Sequence, residues 1–126
     1  MRYLLDTNVL IYFLSSPGEL SAKARRIVQT APDLYVSMAT LWEIGIKQSL
    51  GKLHIGLAPT EIERHCLEHE IAILPIRASA IDRLKDLPDI HRDPFDRLLV
   101  AQAQDEGLVL VTRDQIIPSY PVETIW

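Results

Sequence analysis

The chain has 126 residues, one cysteine, and 13 Lys and Arg against 17 Asp and Glu, for a formal net charge of −4. That length suits one domain, residues 1–126, which buries about two thirds of its unfolded surface and requires no disulfide or zinc staple. The negative balance argues against a passive coat on nucleic acid, since such binding neutralises phosphates with cations, but it leaves room for an enzyme whose acids bind metal ions.

Arg2 to Leu5 reads as a first strand, closed by Asp6-Thr7-Asn8 and followed by a helix over Asn8 to Leu14. Asp6 lies between two segments that both favour burial, where an ionised carboxylate is costly without a partner. It is either an N-cap or a ligand, with Thr7 and Asn8 as further caps or as groups that hold it. The run from Val9 to Leu14 is too short to cross a bilayer and lacks the flanks of a signal peptide, which predicts a cytoplasmic protein with no membrane partner. A second helix, Ser21 to Thr30, leads to a strand at Leu34 to Ser37 and a third helix at Ala39 to Ser49.

In that third helix Glu43 stands among Leu41, Trp42, Ile44 and Ile46, so it is an acid in an apolar setting. Lys47 offers an i,i+4 ion pair, and the hydroxyls of Ser37 and Thr40 can cap the helix or bond a carboxylate. A fourth helix, Thr60 to His69, starts with a capping-box pattern at Thr60 and Glu63 and holds Cys66 as a packing residue. A lone thiol fits a reducing compartment.

Then come a strand at Ile71 to Pro75, a helix at Ala78 to Lys85, and a helix at Pro94 to Glu106 stopped by Gly107. Asp93-Pro94 is a helix-start signature that gives Asp93 a sufficient role as N-cap. Asp96 falls at N3, suited either to the helix dipole or to presenting a ligand. A strand at Val109 to Thr112 precedes Asp114, and a weaker one spans Val122 to Ile125.

Strands alternating with helices imply an α/β fold with a parallel sheet covered on both faces. Strand carboxyl ends then share one edge, where ligands gather beside a switch in strand order. Asp6 and Asp114 follow strands directly, and Glu43 and Asp96 lie early enough in their helices to reach the same rim. Clustered carboxylates repel unless protonated or neutralised by hard divalent ions, so one or two Mg²⁺, or Mn²⁺, are expected there. Such ions can activate water against a phosphodiester. His54, His65, His69 and His91 lack tight zinc spacing, the i,i+4 pair His65 and His69 reads as a solvated face, and the chemistry requires no histidine.

The motifs Leu5-Asp6-Thr7-Asn8, Ser37-x-x-Thr40-x-x-Glu43, Asp93-Pro94-Phe95-Asp96-Arg97 and Leu110-Val111-Thr112-Arg113-Asp114, in this order, resemble the PIN-domain family and within it the VapC-type toxins. The resemblance runs nearly end to end and implies a three-layer α/β/α sandwich with a mainly parallel sheet of four to five strands. It implies that Asp6, Glu43, Asp96 and Asp114 form the acidic quartet that binds metal and acts in catalysis, with Thr112 as a hydroxyl near the fourth acid. The activity implied is Mg²⁺- or Mn²⁺-dependent endoribonuclease action on RNA, by a homodimer that a cognate antitoxin inhibits.

Where the family often has an aromatic residue after the fourth acid, this chain has Gln115-Ile116-Ile117. Asp93 could serve as an outer ligand as well as a cap. Lys47, Lys52, Arg92, Arg97 and Arg113 are candidate phosphate contacts whose ordinary alternative is solvation. Two other functions fit parts of the pattern. One is a non-catalytic metal-binding interaction module. The other is an aspartate-phosphorylating phosphatase or receiver, which Asn8 disfavours by standing where the phosphatase type has a second Asp.

Overall fold

The structure is a computed structural model that describes residues 1–126. Five short strands, β1 (Tyr3–Leu5), β2 (Leu34–Ser37), β3 (Ile71–Leu74), β4 (Val109–Val111) and β5 (Thr124–Ile125), form one sheet in the order β3-β2-β1-β4-β5. Every pairing is parallel, with Leu4 level with Tyr35 on one side and with Leu110 on the other. The helices are α1 (Thr7–Ser15), α2 (Ala22–Thr30), α3 (Met38–Ser49), α4 (Pro59–Glu68), α5 (Ala78–Asp86) and α6 (Pro94–Glu106). The expected α/β/α sandwich is therefore present, with five strands and no antiparallel member.

Side chains alternate across the strands and so feed two cores. Leu5, Val36 and Val111 pack against Val9 and Leu10 of α1, Ala24 and Ile27 of α2, Ile44 of α3, and Ile62 and Cys66 of α4. Leu4 and Leu110 face the other way, onto Leu99, Val100 and Ala103 of α6 together with Ile117 and Tyr120. Ile117 is fully buried, so it supplies apolar packing where Gln115-Ile116-Ile117 has no aromatic residue, and the buried Tyr120 follows it into the same core. No helix is long and apolar enough to cross a membrane.

Local chemistry sets the element ends. Ser21 caps α2 and Asp93 caps α6, each accepting from backbone N–H groups of the first turn. Gly107 ends α6 at φ 67°, the left-handed conformation that costs glycine least. α4 starts one residue earlier than the sequence suggests. Pro59 opens it, and the Ala58 N–H donates to Glu61 Oε1 at 3.1 Å, so Glu61 and not Glu63 makes the capping contact.

Because β1 lies between β2 and β4, the chain leaves β1 in one direction along the sheet and later continues from β4 in the other. The ends of β1 and β4 are thus the switch point, where diverging connections leave a crevice. Asp6 directly follows β1, and Thr112 to Asp114 directly follow β4.

Candidate metal centre

Asp6 is almost completely buried, and both of its carboxylate oxygens are engaged. Oδ1 accepts from the Val9 N–H at 2.8 Å and so caps α1, while Oδ2 accepts from the Thr112 hydroxyl at 2.5 Å. The alternatives of cap and site residue are therefore compatible, since one oxygen serves each. Thr112 Oγ1 also accepts from the Asp114 N–H at 3.0 Å, which ties the ends of β1 and β4 together.

Glu43 is equally buried, although it sits on a helix. Its Oε1 accepts from the Thr7 hydroxyl at 2.7 Å, and Oε2 pairs with Lys47 Nζ at 2.7 Å. Thr7 Oγ1 also lies 3.0 Å from Thr40 Oγ1, so the Thr40 hydroxyl on α3 supports the Thr7 hydroxyl that holds the carboxylate. Ser37 caps α3 through the Ala39 N–H and donates to Gln102 Oε1 at 2.6 Å, which pins α3 to α6. Asn8, by contrast, is exposed.

Asp96 and Asp114 are joined by a residue the sequence left out. His91 Nε2 lies 3.2 Å from Asp96 Oδ2 and 3.0 Å from Asp114 Oδ2, and ligand atoms from these three residues all fall within 4.8 Å of one another. The sequence assigns His91 no role, and the structure sets its ring against two of the four acids. The loop carrying His91 is held by the Tyr120 hydroxyl, which accepts from the Ile90 and His91 N–H groups at 3.2 and 2.7 Å. Asp114 Oδ1 accepts from the Ile116 and Ile117 N–H groups, so the turn after β4 is built around this carboxylate.

The charges show mutual strain. Burial is the main force lifting the Asp6 pKa from 3.8 to about 6, outweighing the Thr112 and Val9 hydrogen bonds, and Asp114 and Glu43 add to the lift. Burial likewise raises Asp96 to about 7, reinforced by Asp93 and more weakly by Asp6 and Glu43, against the pull of His91. Asp114 moves the other way. Burial alone would raise its pKa, but the hydrogen bonds from His91, Ile116 and Ile117 hold it below the ordinary value. Burial would lower the His91 pKa, yet its bond to Asp114 and the charges of Asp96, Asp114 and Asp93 hold it above the ordinary value.

The chain's own cations mostly have other work. Arg97 Nη1 donates to the Pro88 carbonyl and the Tyr120 hydroxyl, and Nη2 reaches the Leu84 carbonyl at the end of α5. Arg113 pairs with Glu19 and lies over the Tyr12 ring. These two arginines brace the loops. Lys47 does face the cluster, for Asp93 and Asp96 join Glu43 in raising its pKa against the lowering effect of burial.

Charge coupling links Asp6 with Glu43 and Asp114, and Asp96 with Asp6 and Glu43, beside the sheet's switch point. The atoms that come within 4.8 Å of one another are those of Asp96, Asp114 and His91, with Asp6 and Glu43 outside that group. Asp6 and Asp96 sit at pKa values near neutrality. A carboxylate-rich set of this kind, with the His91 ring beside it, fits a hard divalent cation, which would relieve the repulsion now met by protons, Lys47 and His91.

Residues 3–122 match the family model described as PIN domain. The chain belongs to the PIN-domain family. This PIN domain is 28% identical to Ribonuclease VapC22 of Mycobacterium tuberculosis over 98% of this chain and 97% of that protein. Its fold is similar to the structure of VapBC2 from Rickettsia felis bound to a promoter DNA fragment, with TM-score 0.74 and 16% identity over 100% and 99% of the two chains. The DNA-bound VapBC of Salmonella typhimurium is similar at TM-score 0.69 and 18% identity, over 99% and 97%.

Proposed function

We propose that this PIN domain is a Mg²⁺- or Mn²⁺-dependent endoribonuclease, the toxin of a type II toxin–antitoxin pair. The observation that carries the reading is the charge coupling among Asp6, Glu43, Asp96 and Asp114 beside the switch point, with burial and mutual charge raising Asp6 and Asp96 toward neutral pKa values. Such a site gains most by exchanging its protons for one or two divalent ions. Support for RNA as the substrate comes from the relative named a ribonuclease, and support for an antitoxin partner comes from neighbours solved as VapBC assemblies.

In this reading Asp6, Glu43, Asp96 and Asp114 hold the ion. When bound, it supplies the Lewis acidity that activates water and offsets charge developing on the phosphodiester. The chain's part is orientation. Thr112 and the α1 N-terminus fix the Asp6 carboxylate, and Thr7 and Lys47 fix that of Glu43. Asp93 stays with its cap on α6, accepting from the Phe95 and Asp96 N–H groups. Lys47, the cation nearest the acids, is the candidate to meet an incoming phosphate.

The protein acts in the cytoplasm as a homodimer, which the antitoxin covers. Exposed Met38 and Trp42, beside an apolar groove between α3 and α4 that includes Leu41, Ile46 and Pro59, support a protein partner on that face. Asp6→Asn should abolish RNA cleavage and weaken Mn²⁺ binding while the circular dichroism spectrum stays unchanged. Full cleavage by that variant, purified free of host nuclease, would refute the reading.

A further inference from the structure

His91 is the one imidazole within reach of the acids, and the surroundings of its ring distinguish two roles for it. As a ligand it would offer a nitrogen to the metal, and ligating histidines donate their second N–H to a carboxylate or carbonyl. As a donor it would keep a proton on the nitrogen that faces the carboxylates.

The second nitrogen decides between them. His91 Nδ1 accepts from the Asp93 N–H at 3.1 Å, so it carries a lone pair and no hydrogen. The proton of the neutral ring is then on Nε2, which faces Asp114 Oδ2 at 3.0 Å and Asp96 Oδ2 at 3.2 Å. A ligating Nε2 would need the hydrogen on Nδ1, directed at the Asp93 N–H. A flipped ring would lose both contacts, the one Nδ1 accepts from the Asp93 N–H and the one Nε2 makes with Asp114, and Asp93 is fixed as the cap of α6.

We propose that His91 is a positioning residue of the metal centre, its Nε2–H donating to Asp114 Oδ2 while the ring lies 3.2 Å from Asp96 Oδ2, a bridge that holds the two carboxylates together while the ring stays out of the coordination sphere. The role rests on the metal-dependent nuclease reading above. Without this bridge, two carboxylates from different segments would face each other with no positive group between them. With it, α6 and the turn after β4 keep their acids in place before an ion arrives.

A carboxylate oxygen carries two lone pairs, so Asp114 Oδ2 can accept from the ring and still face a cation. Asp96 Oδ1 makes no hydrogen bond to the ring and is available as well. The donor set then remains all oxygen, the type suited to Mg²⁺ and Mn²⁺. A ligating imidazole would shift preference toward borderline ions such as Zn²⁺.

The test measures Mn²⁺ binding with no RNA present, on wild type, His91→Leu and His91→Gln. Loss of an outer partner typically costs metal affinity about 10- to 100-fold, so His91→Leu should bind Mn²⁺ that much more weakly. His91→Gln, which can restore an N–H donor near the Nε2 position, should recover most of it. Both variants are first checked for an unchanged circular dichroism spectrum. A merely structural histidine would lower the melting temperature without this pattern of loss and rescue.

Pulsed electron paramagnetic resonance on Mn²⁺-loaded, ¹⁵N-histidine-labelled wild type supplies the second readout, with no directly bonded nitrogen expected. A directly bonded ¹⁵N, or wild-type affinity in His91→Leu, overturns the proposal. If wild type binds no Mn²⁺ at all, the metal-centre reading fails and this role falls with it. Mn²⁺ binding with normal variant behaviour but no RNA cleavage would fault only the substrate.

Discussion

Metal binding should expel a countable proton, and the number depends on pH in a way the site's charges fix. The Asp96 carboxyl has a pKa of about 7 and that of Asp6 about 6 in the metal-free protein. At pH 6.5 these carboxyls are roughly three quarters and one quarter protonated, so together they hold about one proton; at pH 8 they hold about a tenth of one. A divalent ion requires both as carboxylates. Saturation with Mg²⁺ should therefore release about one proton from this pair at pH 6.5 and almost none at pH 8. Affinity should weaken about twentyfold from pH 8 to pH 6 through the same competition. Isothermal titration calorimetry in buffers of different ionisation enthalpy reads the proton count directly. Equal release at the two pH values, or none at pH 6.5, would refute the claim that burial and crowding hold protons in the site.

The same shifts set how metal-free stability responds to pH. Both carboxyls have folded pKa values raised above the ordinary 3.8, so their stabilising contribution is complete below about pH 4 and is lost as pH rises through about 6 and 7. Urea denaturation in EDTA should show this contribution shrinking between pH 5 and pH 8, and Asp96→Asn should flatten the dependence; an unaltered profile in that variant would contradict it. Thr112→Val removes the hydroxyl that donates to Asp6 and accepts from the Asp114 N–H, so it should cost about 1–2 kcal/mol in denaturation and also weaken Mn²⁺ binding. Ile117→Ala opens a cavity in the second core beside the Asp114 turn and should cost about 2–5 kcal/mol, read from the shift of the urea midpoint.

The acids were legible in the sequence because an ionisable residue inside an apolar run is conspicuous, and Glu43 between Trp42 and Ile44 is the plainest case. Asp93 as a cap was equally open, since Asp before Pro at a helix start has a local cause, and that cap is present. Asp6 posed a choice that structure dissolves. A carboxylate has two oxygens, and one caps α1 while the other meets Thr112 across the sheet.

What could not be read depends on contacts between distant segments. His91 carries no metal-ligand spacing, and its role arises from a loop hung on Tyr120, 29 residues away, which brings the ring to Asp114. Arg97, next to Asp96 in sequence, suggested a phosphate contact, yet its guanidinium turns to the carbonyls near the end of α5. The side to which an arginine folds back is set by which orphan acceptors lie near, and sequence spacing does not carry that. The strand alternation implied a parallel sheet but not the order that places β1 beside β4 and brings Asp6 next to Thr112.

The most direct measurement of the central claim is cleavage of a structured RNA by the purified chain, in EDTA and then after adding excess Mn²⁺ or Mg²⁺. The account predicts no cleavage in EDTA, internal cuts once metal is restored, and none with Asp96→Asn under either condition. Cleavage that persists in EDTA, or that survives loss of the Asp96 carboxylate, would contradict it.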